Sequence, residues 1–232
     1  MLKISRLRNL CLFIVSLLIA SRGYARDDNY VPTAFIKAGG GFSTYKSKMV
    51  DNNDTSTLIE YSIGAYAGTE RDFGMILRRD QSTTPFSLNS SSIAASWQDY
   101  IMRYRYGPVY LGVVLGSAEI DANKEGDAEF LKARGTGYGG NFGFMIPVGK
   151  YSMFNLDVLA VSDSTAVDLN KKSISIGQRM DYDMNASFDL TKSLFDFIVG
   201  YKYRTYSLSV DGTSYAELFT TTYIGFVTSF YF

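Results

Sequence analysis

The densest group of chemistry-bearing residues lies in the stretch "GQRMDYDMN", where Arg179, Asp181 and Asp183 alternate with Met180, Tyr182 and Met184. Two carboxylates close together could divide acid and base work in a hydrolysis. On an extended chain, however, an i, i+2 spacing puts both on one face beside the arginine, and a ladder of ion pairs is the simpler use of them. The rest of the chain narrows the chemistry further. Histidine is absent and the single cysteine is Cys11, which removes nucleophiles activated by an imidazole, the usual neutral-pH base and conventional zinc ligation. The chain is therefore read as non-enzymatic and without a cofactor. In "DANKEGDAE", Asp121, Asn123 and Glu125 follow the opening of a calcium loop, but Lys132 stands where its bidentate glutamate belongs. That stretch is a weak calcium candidate, and no other metal site is expected. "RYRY", Arg103 to Tyr106, has the composition of a base-stacking strip. With formal charge +0 and pI near 6.3 the chain has no basic field around that strip, so no nucleic-acid partner is expected.

The elements that must position these residues follow from periodicity. Lys3, Arg6 and Arg8, the apolar run "LCLFIVSLLIA" and small residues at Gly23 and Ala25 make residues 1–25 a cleaved signal peptide. Residues 26–232 are then one domain, exported and without cysteine. No later apolar run is long enough for a membrane helix. What recurs is alternation with period two. "TAFIKAGGGFSTY" sets Ile36, Ala38 and Phe42 against Lys37, Gly39 and Gly41. "DYIMRYRYG" sets Tyr100, Met102 and Tyr104 against Asp99, Arg103 and Arg105. Ten such segments can be drawn between Thr33 and Phe232, joined by alternating short turns and longer polar connectors such as "EIDANKEGDAEFLKAR" and "SLSVDGTSYAE". The expected fold is all-β: a closed, antiparallel, up-and-down transmembrane β-barrel of about ten strands, with eight or twelve as alternatives.

The two faces differ in kind. One carries Tyr and Phe near strand ends with aliphatic residues between them, as a lipid-facing band with aromatic girdles requires. The other is glycine-rich and holds Lys37, Arg78, Arg103, Arg105, Arg179, Lys202 and Arg204 against Glu60, Asp99, Asp157, Asp181, Asp183 and Asp196. Near-cancelling charge is what a confined interior needs, since a buried charge must be paired. These residues are predicted to form a lumen network, with Arg78, Arg103 and Arg105 reaching across toward Asp181, Asp183 and Asp196. The lumen is then plugged or very narrow. Trp97 and the longer connectors are left to carry external specificity.

The signal peptide, the alternating strands and the ending "TTTYIGFVTSFYF" make the chain resemble the bacterial outer-membrane β-barrels, of the small OmpA-like and Ail-like kind, although with more strands than those. The resemblance implies that Ile224, Phe226, Phe230 and Phe232 are an insertion signal read by the outer-membrane assembly machinery. It also implies residence in the outer membrane among lipid and lipopolysaccharide. The absence of histidine sets the chain apart from the omptin proteases, which also have ten strands. The expected role is that of a monomeric structural or adhesin-like surface protein, meeting an extracellular ligand through its loops; the alternative is a narrow passive pore.

Overall fold

A computed structural model of the chain describes residues 31–48, 52–68, 71–83, 85–88, 91–124, 127–148, 152–162, 164–165, 174–189, 195–210 and 212–230. Residues 1–25, expected from the sequence to be a signal peptide, lie outside the described residues, as do Glu125 and Phe232. The described residues form an all-β fold: β1 (Ala34–Ser47), β2 (Asn52–Ala67), β3 (Phe73–Ser82), β4 (Phe86–Leu88), β5 (Ser91–Tyr106), β6 (Val109–Lys124), β7 (Asp127–Pro147), β8 (Ser152–Val161), β9 (Ser164–Thr165), β10 (Ile174–Ile176), β11 (Arg179–Asp189), β12 (Asp196–Val210) and β13 (Thr213–Phe230). Ten of these close a ring in the order β1, β2, β3, β5, β6, β7, β8, β11, β12, β13, every neighbour antiparallel. Closure is made by β1 on β13, paired without a break from Ala34↔Phe230 to Ser47↔Glu217. A closed ring leaves no unpaired strand edge, the condition for β-structure in lipid.

Three short strands stand apart from the ring. Strand β4 pairs with β5, while β10 pairs with β12 and β9. Both ends of the barrel chain, with the links after β2, β5, β7 and β11, lie at one end, here the turn end. Gly107, with φ 57°, supplies the left-handed residue of the link that returns Tyr106 onto Val109. The connectors at the far end differ from expectation. Much of each is strand: β1 and β2 pair out to Ser47↔Asn52, β6 and β7 to Lys124↔Asp127, and β12 and β13 to Val210↔Thr213 with Gly212 at φ 82°. The "DG" pair inside the supposed loop "SLSVDGTSYAE" is a hairpin signal.

These extensions explain the strand lengths. Spanning a bilayer takes about 9–11 tilted residues, whereas β7 has 21 and β13 has 18. In the turn-end half, outward positions are large and apolar: Ile63, Met75, Tyr104, Leu111, Val113, Ile224 and Phe226 are all exposed on the wall. In the far half the outward residues are Lys46, Thr55, Gln81, Arg134 and Thr136, and the apolar residues turn inward. Tyr45, Leu58, Ile93, Trp97, Ile120, Tyr206, Leu208 and Phe219 are buried there with Phe86 of β4 and Ile176 of β10. Ile176 belongs to this interior, and so does Trp97, 1% exposed, which was expected to serve external recognition.

Inward glycines give the long side chains room. A Cβ on Gly74 would meet the ring of Tyr66, one on Gly143 that of Tyr110, and one on Gly200 that of Tyr223. Each of these three inward tyrosines thus lies over a glycine of the adjacent strand, which lets a narrow ring be filled without strain.

Candidate functional site

The interior is stacked in levels, and the middle one is a continuous chain of ion pairs of alternating sign. Lys37 Nζ lies 2.5 Å from Glu60 Oε1, and Lys202 Nζ 2.5 Å from Glu60 Oε2 and 2.9 Å from Asp80 Oδ2. Arg204 Nη2 bridges Asp80 at 2.6 Å and Asp181 at 2.7 Å. Arg78 Nη2 then joins Asp181 at 3.1 Å to Asp99 at 2.9 Å, and Arg179 closes on the other oxygen of Asp99. The chain crosses the lumen, since Arg78 is on β3 and Asp181 on β11. Every member but Lys37 is buried. Desolvated charges of this number persist only when each is matched by hydrogen-bonded partners.

The register explains how one strand supplies several members. Asp181 faces Arg204 and Asp183 faces Lys202 across the β11–β12 ladder, while Arg78 faces Asp99 across β3–β5. Alternation holds Met180, Tyr182 and Met184 on the outer side of the same strand. Tyr223 of β13 ties the network to the closing strand, accepting from Lys37 Nζ at 3.1 Å and donating to Asp183 Oδ1 at 2.7 Å.

The predicted lumen residues separate into three groups. Lys37, Glu60, Arg78, Asp99, Arg179, Asp181, Lys202 and Arg204 are in the chain; Asp183 stands beside it, 3.8 Å from Lys202 Nζ. Asp157 accepts from Asn141 and lies 3.7 Å from Arg78 Nη1, and Asp196 lines a chamber below. Arg103 and Arg105 do not reach across as expected. The Arg103 guanidinium is held between Tyr110 and Tyr66, its Cζ 4.1 Å and 5.3 Å from their ring centres, and donates to the Tyr66 hydroxyl. Arg105 donates to the carbonyls of Gly107, at 2.8 Å, and Arg71, at 3.4 Å, and so fastens the turns. Both sit too near the turn end for the opposite carboxylates to be their closest acceptors.

Sequence reasoning missed Asp80, which receives both Lys202 and Arg204. Its spacing of two from Arg78 was the available signal. It also missed Glu217, which accepts from the Tyr45 hydroxyl inside the far half. Of the calcium candidate, Asp121 and Asn123 lie in extended β6, paired with Ala94 and Ser92, and Glu125 lies outside the described residues.

Above the ion pairs the lumen is packed with rings. Tyr45 stacks on Phe219 at 4.2 Å, Trp97 meets Phe219 edge-on at 4.8 Å, and Phe86 closes against Tyr45 and Phe219 at 5.4 Å each. Arg204 joins the levels, its Cζ 4.1 Å from the Trp97 ring centre. Below the ion pairs is a chamber of about 130 Å³, with Arg103, Asn155 and Asn185 among Phe35, Ile101 and Ile198.

The fold is that of an outer-membrane β-barrel. OmpT, an outer-membrane protease of Escherichia coli, superposes with a TM-score of 0.53 at 10% identity, over 85% of this chain and 96% of that one. Neisserial surface protein A gives 0.43 at 12% identity, over 85% and 97%, and Ail of Yersinia pestis 0.37 at 11%, over 85% and 99%. No protein-family model matches the sequence, and no curated protein matches it.

Proposed function

We propose that the protein is a monomeric outer-membrane barrel with a non-conducting lumen, acting as a structural or adhesin-like surface component through the parts that project beyond the bilayer. The observation that carries this reading is the two-level filling of the lumen, ion pairs from Lys37 to Arg179 beneath rings from Tyr45 to Trp97. A channel would need neither. The turn end faces the periplasm and the extended hairpins face outward, in keeping with short turns inside and longer excursions outside. Residues 1–25 direct export, and the assembly machinery reads Ile224, Phe226, Phe230 and Phe232. The first three alternate along the exposed wall of β13, as a lipid-facing signal would. Deleting Phe232 is expected to abolish most membrane insertion, seen as loss of the heat-modifiable band, while deleting Asn53 is tolerated.

The reading is non-enzymatic: OmpT is a protease, whereas this chain has no histidine anywhere and no cysteine in residues 26–232. The chamber of about 130 Å³ favours the second reading, a narrow passive pore, because it brings solvent up to the ion pairs from one side. Liposome swelling separates the two. The account expects no swelling with small sugars, together with cell-surface or matrix binding that is lost when the β6–β7 hairpin is shortened. Swelling that survives this shortening would favour the pore.

A further inference from the structure

We infer that the outer wall carries a binding groove for the phosphate-bearing headgroup of an outer-leaflet glycolipid, built by β3, β5, β6 and β7 around Arg79 and Arg134. The groove, about 560 Å³, is lined by Arg79, Gln98, Ser117, Glu119, Arg134 and Thr136. Pairing puts Arg79, Gln98, Ser117 and Thr136 in one row across four strands, with Glu119 and Arg134 in the row above. The row beneath holds Tyr100, Leu115 and Tyr138, all exposed and apolar. The groove therefore begins where the lipid-facing band ends, at the depth of the headgroups.

Its charge points to the occupant. The Arg79 side chain makes no hydrogen bond or ion pair with any described residue, unlike the arginines of the lumen. Arg134 directs Nε and Nη2 to a single oxygen of Glu119, which leaves Nη1 of its fork for another acceptor. Two guanidinium groups beside the Thr136 hydroxyl suit a phosphate ester, which accepts from a planar fork and from a hydroxyl together, while the Ser117 hydroxyl donates to the Gln98 carbonyl. The acyl chains would then run down over Tyr100, Leu115 and Tyr138. This assignment rests on the proposed outer-membrane residence and orientation.

The full chain, refolded in non-ionic detergent and shown to be folded by heat-modifiable migration, is incubated with lipid A bearing its phosphates or with the dephosphorylated lipid, and bound lipid is read by native mass spectrometry. A cation near a charged membrane surface contributes about 1 kcal/mol, or about fivefold in affinity. Arg79→Ala and Arg134→Ala are each expected to lower retention of the phosphorylated lipid about fivefold. Glu119→Gln, which frees Arg134, is expected to raise it. Lys46→Ala, a cation elsewhere on the same wall, leaves it unchanged. Equal retention of the two lipids, or equal losses from Lys46→Ala and Arg79→Ala, would overturn the groove while leaving the barrel intact. Competition by millimolar inorganic phosphate would make this a free-phosphate site and overturn the lipid assignment. A folded protein that fails to enter vesicles would instead contradict the membrane reading on which the groove depends.

Discussion

The two halves of each long strand obey opposite rules. In β5, Tyr100, Met102 and Tyr104 point outward while Asp99, Arg103 and Arg105 point in, yet a few residues earlier Ile93, Ala95 and Trp97 are the inward set. Strand β6 repeats this: Leu111, Val113 and Leu115 face out, then Ala118 and Ile120 face in. So does β13, with Phe226 and Ile224 outside and Phe219 inside. Across this boundary the backbone alternation of these strands is unbroken, and it is the hydrophobic phase that changes. At the level of the bilayer the outside is the apolar medium and the narrow interior takes the charges. Beyond it the outside is water, and the interior becomes an ordinary apolar core. One barrel thus holds two different interiors, a lattice of ion pairs and a packed cluster of rings.

The sharpest way to break this comparison is to remove one charge from the lattice. Asp181→Ala leaves Arg204, Arg78 and Arg179 to share Asp80 and Asp99, and is expected to cost about 3–5 kcal/mol in urea unfolding from vesicles, because removing one partner leaves buried positive charge uncompensated. In the far half, Phe219→Ala removes the ring that touches Tyr45, Trp97, Phe86 and Tyr206. A loss of about 3 kcal/mol is expected there from packing alone. An arginine scan along one outward face locates the boundary. Ile63→Arg is expected to cost about 2–4 kcal/mol in lipid, against less than about 0.5 kcal/mol for Thr55→Arg. Equal costs would mean that the two sites face the same medium. Smallest is Tyr223→Phe, which loses the hydrogen bonds to Asp183 and Lys37 but keeps the ring over Gly200. About 1 kcal/mol is expected in the same unfolding assay.

The phase change also accounts for what could be read from the sequence. Wherever lipid lies outside, polarity and parity agree, so the inward facing of Arg179, Asp181 and Asp183 could be taken from alternation alone. Closure into a ring of ten followed from counting such segments. Farther along the same strands the outward residues are Thr, Ser, Gln and Lys, and the pattern resembles a polar connector. Ile120, Ala133, Leu208 and Glu217 therefore fall in stretches that read as connectors, and the long hairpins go unseen. Arg103 and Arg105 show a different limit. Parity gives the side of the wall but not the height, and height decided that a tyrosine pair and the turn carbonyls, rather than Asp183 and Asp196, receive them. Asp80 was within reach of the same reasoning, two residues from Arg78.

The central claim is that ion pairs and rings together close the lumen, and single-channel recording on the refolded, full-length protein in planar bilayers tests it directly. The account predicts a silent bilayer for the wild-type chain, and flickering openings once Asp181→Ala has loosened the lattice. Stable, large and weakly selective conductance from the unmodified protein would contradict it.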